Sequence, residues 1–235
     1  MKYLYTLVLF VFLASCSKEV DMVVDQPYAP TNLDAEAGAW KTFVLASTSD
    51  VVVVAPKLVS DAAYLKEVDS LKTVVIPNLT AVQKKAIQYW GAGAVLRWNE
   101  IGRELAARYN QPPAANAAGV YPVPSAADPL ADPRFPFANP PYTARALAYL
   151  SVAQYDALVS AWKYKYQYNR KAPYVVDAMI KPLLPVTSLP TYPSEDAVVA
   201  QASYVILLAM FPGEGPFLAE KLAEAKNVRL WAGMN

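Results

Sequence analysis

The chemistry open to this 235-residue chain is limited first by what it lacks, because it contains no histidine and a single cysteine, Cys16. A Ser-His-Asp triad, a His-ligated zinc site and an imidazole acid or base are excluded. So are an internal disulfide and a C-x-x-C centre. Carboxylate, lysine, arginine, tyrosine and serine chemistry is left, and those residues gather in a few places. Lys163 to Pro173 crowds Lys163, Lys165, Arg170 and Lys171 together with Tyr164, Tyr166 and Tyr168. Such a run could serve a site or snorkel around a helix end near a membrane. Pro193-Ser194-Glu195-Asp196 has the form of a helix start, a serine cap followed by carboxylates that suit the N-terminal dipole. Arg229 stands in the closing Arg229-Leu-Trp-Ala-Gly-Met-Asn235 segment, where it could be a C-terminal helix cation. Arg97, Asn99, Glu100 and Arg103 either line a site or form a solvated i, i+3/i+4 face.

These groups must be positioned by a well-buried core. Hydrophobic residues make up 55% of the chain and charged residues 17%, with a net charge of +1. That balance argues against disorder and against electrostatic binding of nucleic acid. The periodicity is helical. Ser60 to Lys72 predicts a helix with Tyr64, Leu65, Val68 and Leu71 on one side, after a β-branched run at Val51 to Val54. Thr80 and Gln83 form a T-x-x-Q capping box that opens a helix to about Tyr109, with Ile87, Trp90, Ala94, Trp98, Ile101 and Leu105 as its apolar stripe. Residues 111 to 141 are dense in proline and predict a long ordered loop. A second strong helix is predicted from Thr143 to about Trp162, with Leu147, Leu150, Leu158 and Trp162 as its contacts. A third runs from Ser194 to Met210, apolar nearly all round and therefore central, and a fourth covers about Pro216 to Lys226. The expected fold class is all-α, a helical bundle around the segment after Pro193.

The N-terminus predicts an address. Met1-Lys2 is a short basic start, Tyr3 to Leu13 is apolar, and Leu13-Ala14-Ser15-Cys16 follows. The apolar run is shorter than the ~20 residues of a membrane-spanning helix and reads as a secretory signal. Its ending resembles the bacterial lipoprotein box, which implies cleavage before Cys16 and lipidation of that residue. The expected organisation is a signal and lipobox over 1–16, a flexible tether over 17–38, an N-terminal extension over 39–79 and a helical domain over 80–235. The expected location is the bacterial cell envelope, anchored by lipid on the periplasmic or outer-membrane side.

In their order and spacing, Lys163-x6-Arg170, Pro193-Ser194-Glu195-Asp196 and Arg229 to Asn235 resemble the three phosphate-site motifs of the superfamily of type 2 phosphatidic acid phosphatases and vanadium-dependent haloperoxidases. Those patterns are K-x6-R-P, P-S-G-H and S-R-x5-H-x3-D, and the resemblance spans roughly Thr80 to Asn235, including Phe135-Pro-Phe-Ala-Asn-Pro-Pro. It implies a bundle of that type lacking its closing C-terminal helix. It also implies an oxyanion pocket in which Lys163 or Lys165, Arg170, Ser194 and Arg229 hold phosphate or vanadate through preorganised donors. Starting the first motif at Lys165 instead puts Ala172 where arginine is expected, so the lysine stays open. The departures bear on catalysis. Asp196 stands at the acid/base histidine and could transfer a proton only with a raised pKa, Asn235 stands at the histidine that attacks phosphorus or ligates vanadium, and Val228 replaces the motif serine. The resemblance therefore implies an acid-phosphatase-like or haloperoxidase-like chain of weak or absent activity, with vanadate as the cofactor it would suggest and no metal site among the residues themselves. Expected partners are a phosphate-containing small molecule or lipid, the membrane through the anchor, and an oligomer or partner over the open C-terminal side; nucleic acid is not expected. The rival expectation is a non-enzymatic helical lipoprotein that binds an anion or a partner.

Overall fold

The computed structural model describes residues 35–109, 115–121, 127 and 140–234. Cys16 with its signal, Phe135 to Asn139 and Asn235 lie outside the described residues. Among those described, every regular element is helical. Helix α1 (Ala62–Ser70) is capped by Asp61, whose carboxylate accepts from the Ala63 N–H at 2.8 Å. Tyr64, Val68 and Leu71 are buried, but Leu65 is 45% exposed. Consecutive helical residues are rotated by about 100°, so Leu65 cannot share the inner face that Tyr64 already occupies.

The expected single helix from Thr80 to Tyr109 is two helices, α2 (Ala81–Trp90) and α3 (Ala94–Arg108). The Thr80–Gln83 capping box opens α2 as expected. The break falls at Gly91-Ala92-Gly93, where Gly93 has φ 103°, a left-handed conformation that L side chains resist. A Cβ on Gly91 would also meet Leu184 Cδ2 at 2.7 Å. Ile87, Trp90, Ala94, Trp98, Ile101 and Leu105 are nevertheless all buried, so the stripe survives the break.

Helix α4 (Pro140–Tyr168) runs on past Trp162 through the Lys/Tyr run, and Asn169 ends it with φ 43°. The tyrosines explain the extension. Tyr164 and Tyr168 stack one turn apart and donate to the carbonyls of Val51 and Val53, while Tyr192 donates to Val54. The β-branched run is thus an unpaired extended segment laid along α4 and held through its backbone oxygens, with Val52 and Val54 turned outward. Upstream, the Asp156 carboxylate accepts from the N–H groups of Phe43, Val44 and Leu45 at 2.8, 2.8 and 3.0 Å. Residues 35–38, expected as tether, belong to this wrapping: they form a 3₁₀ turn on α4, and a Cβ on Gly38 would stand 2.5 Å from Lys163 Cα.

Helix α5 (Glu195–Met210) starts at the expected Ser194 cap and packs on α3, α4 and α6 (Gly215–Trp231). Val199, Ala200, Ser203 and Leu207 are buried against them, whereas Val205 is 53% exposed, so the helix is central without being enclosed. Helix α6 is longer than Pro216 to Lys226 and carries Arg229 in its last turn. Beyond it, Leu183 N–H donates to Ala232 O and Thr191 Oγ1 donates to Met234 O, which returns the end of the described chain to the segment preceding α5.

Candidate functional site

The start of α5 gathers charge from three helices. Lys165 reaches it from α4, 3% exposed, donating to Pro193 O at 3.2 Å with its Nζ 3.7 Å from Glu195 Oε2. Arg229 reaches it from α6, its Nε 3.5 Å from Asp196 Oδ2. The other Asp196 oxygen accepts from the Ala94 N–H at 3.3 Å, where α3 has no cap of its own from Gly93. Asp196 is therefore a cross-helix N-cap held in place by an arginine. Ser194 Oγ accepts from the Ala197 N–H at 3.4 Å, the ordinary work of a helix cap.

Burial pushes the Lys165 ammonium below the usual lysine range, and Arg229 presses the same way; Glu195 and Asp196 oppose them. Two cations thus face two carboxylates. At an effective dielectric near 20, unit charges 4 Å apart attract by about 4 kcal/mol before desolvation is subtracted. A phosphate or vanadate entering here would have to displace Glu195 from Lys165 and Asp196 from Arg229, losing attraction of the same order as it gains. The group suggested by the motif resemblance does not fit this charge-compensated arrangement, and the chain has no histidine to ligate vanadium or attack phosphorus.

The other expected site residues lie elsewhere. Lys163 is half-buried on the side of α4 that the N-terminal wrapping covers, and donates to Ser49 Oγ at 2.7 Å. Arg170 stacks 4.1 Å from the centre of the Tyr64 ring and lines a cavity of about 320 Å³ that Lys165, Glu195, Asp196 and Arg229 do not line. Of the two lysine registers, the one beginning at Lys165 reaches the start of α5, and Ala172, its position for arginine, is buried.

Some contributors carried no distinguishing sequence signal. Glu195 looks like any helix-start carboxylate, and only its approach to Lys165 separates it from one. Arg97 and Asn99 are not on a solvated face: Arg97 is buried, donating to Tyr89 O at 2.6 Å and to Glu100 at 2.9 Å. Asn99 donates to Gln154, which donates to buried Ser203, tying α3, α4 and α5 through side chains. Asn99 also lines a cleft of about 590 Å³ that runs from Glu195 and Asp196 between Trp40, Tyr155 and Trp162. Its walls are largely apolar, as small-molecule sites usually are.

The described helices share their fold with a solved vanadium-dependent iodoperoxidase. That solved structure is of a bacterial enzyme, with a TM-score of 0.65, 21% identity, and coverage of 96% of this chain. This chain spans 58% of the length of that one. No family model and no curated protein sequence matches it.

Proposed function

We propose that this chain is a haloperoxidase-like envelope lipoprotein that works as a binding scaffold rather than a catalyst, its oxyanion pocket closed at neutral pH by its own carboxylates. The observation that carries this reading is the pairing of Lys165 with Glu195 and of Arg229 with Asp196. The cations that would receive an anion are already neutralised, and Asp196 is engaged by the Ala94 amide as well. Anchoring through Cys16 in the bacterial envelope belongs to the same proposal and rests on the signal and lipobox.

The test compares wild type with a Glu195→Gly/Asp196→Asn variant that frees both cations. Millimolar phosphate or vanadate is expected to raise the thermal midpoint of the variant and leave wild type unmoved. A ligand at 100 times its Kd stabilises a fold by about 2.7 kcal/mol, well within reach of a melting scan. Hydrolysis of a chromogenic phosphate ester by wild type, or vanadate-dependent halide oxidation, abolished by Arg229→Ala in either case, overturns the non-catalytic reading.

A further inference from the structure

Two residues that line one cavity, Arg170 and Tyr64, each carry a buried donor with no acceptor. The Arg170 guanidinium lies 4.1 Å over the Tyr64 ring and 5.8 Å from the Tyr192 ring. The Arg170 Nε is buried without an acceptor, and no carboxylate pairs with this arginine among the described residues. Tyr64 is 3% exposed, and its hydroxyl is likewise buried and unpartnered. Both residues line the same space of about 320 Å³. Buried donors are nearly always satisfied, so two orphans on residues that share a cavity point to an acceptor between them.

We propose that this cavity is a ligand site for a small organic carboxylate with an apolar body. The neighbouring polar groups are already engaged. Tyr192 Oη donates to Val54 O, and Thr191 Oγ1 donates to Met234 O. Glu67 also lines the cavity, but its carboxylate takes Lys57 Nζ at 2.9 Å with both side chains more than half exposed, so it leaves the Arg170 charge uncompensated. A carboxylate presents two oxygens to the Nε–Nη edge of a guanidinium, the bidentate fit for which arginine is suited. Tyr64 O–H adds a third donor. Val68, Leu71, Pro173 and Leu230 supply apolar wall, against which the remaining oxygens of a phosphate would be desolvated without partners. The volume lies at the small end of ligand pockets, suited to one ring or a short chain. The site shares no lining residue with the start of α5 and does not rest on the function proposed above.

The full chain is titrated at neutral pH with benzoate, with its neutral isostere benzamide and with inorganic phosphate, by calorimetry and thermal unfolding. Benzoate is expected to bind and raise the melting temperature, and the other two are not. Arg170→Gln is expected to weaken benzoate at least tenfold. Tyr64→Phe keeps the ring under the guanidinium, is expected to fold, and should weaken benzoate several-fold. Failure of benzoate to bind wild type at millimolar concentration, undiminished binding by either variant, or equal binding of phosphate or benzamide overturns the proposal and leaves a water-filled cavity.

Discussion

Lys165 is the residue whose environment decides most. Buried among Glu195, Asp196 and Arg229, it holds an ammonium where burial disfavours charge, and Glu195 is its nearest counter-charge. Removing one partner of such a pair strands the other, whereas replacing both with apolar groups of similar size is often neutral. Lys165→Met is therefore expected to lower unfolding stability by roughly 2–3 kcal/mol, discounted from a fully buried pair because Glu195 keeps some solvent contact. Lys165→Met/Glu195→Leu is expected to recover most of that loss in denaturant melts. If the double variant is less stable than the single one, the pair is not coupled as described. Ser194 illustrates the same point at lower energy, since its hydroxyl is already occupied as a helix cap.

At the scale of elements, the N-terminal wrapping on α4 depends on one carboxylate and a line of tyrosine hydroxyls. Burial works against the charge of Asp156, but the amides of Phe43, Leu45 and Val44 outweigh it and hold the carboxyl below the usual aspartate range. A depressed carboxyl contributes stability that is complete above its unfolded value, near pH 4, and that fades as pH falls through the lower folded value. Asp156→Asn is expected to cost roughly 1.5–3 kcal/mol at neutral pH, the range for hydrogen bonds to a charged group. The gap between wild type and variant should shrink as pH drops below about 4. Chemical denaturation across pH measures it, and a gap that stays constant into acid would show that charge is not what holds residues 43–45.

For the whole molecule, the chain shares its helical fold with the bacterial iodoperoxidase it matches and spans 58% of that protein's length. No helix among the described residues is long and apolar enough to cross a membrane. In the proposed function, membrane attachment is assigned to Cys16 on the strength of the signal and lipobox sequence alone. Cys16→Ala is expected to move the protein from the membrane to the soluble fraction on cell fractionation. Retention at the membrane would sink the lipoprotein reading without touching the fold, and the fold is independently checked by helical circular dichroism of the released protein.

How much could be read beforehand follows from the range of the forces involved. Periodicity, the Thr80–Gln83 box and the Ser194 cap are local, so the helices and most of their buried stripes were legible in the sequence. The break at Gly91–Gly93 was also written locally, but an unbroken apolar stripe on either side masked it. The continuation of α4 through Tyr168 was not legible, because the tyrosine hydroxyls that favour it bond to carbonyls more than a hundred residues earlier. The same holds for the site. Residue type alone excluded histidine and disulfide chemistry and marked the lysines, Ser194 and Arg229. Which cation meets which carboxylate is a through-space matter: tertiary packing sent Lys165 to Glu195, Lys163 to Ser49 and Arg170 to Tyr64, because burial and a few ångströms of separation, rather than position along the chain, set the strength of a charge interaction.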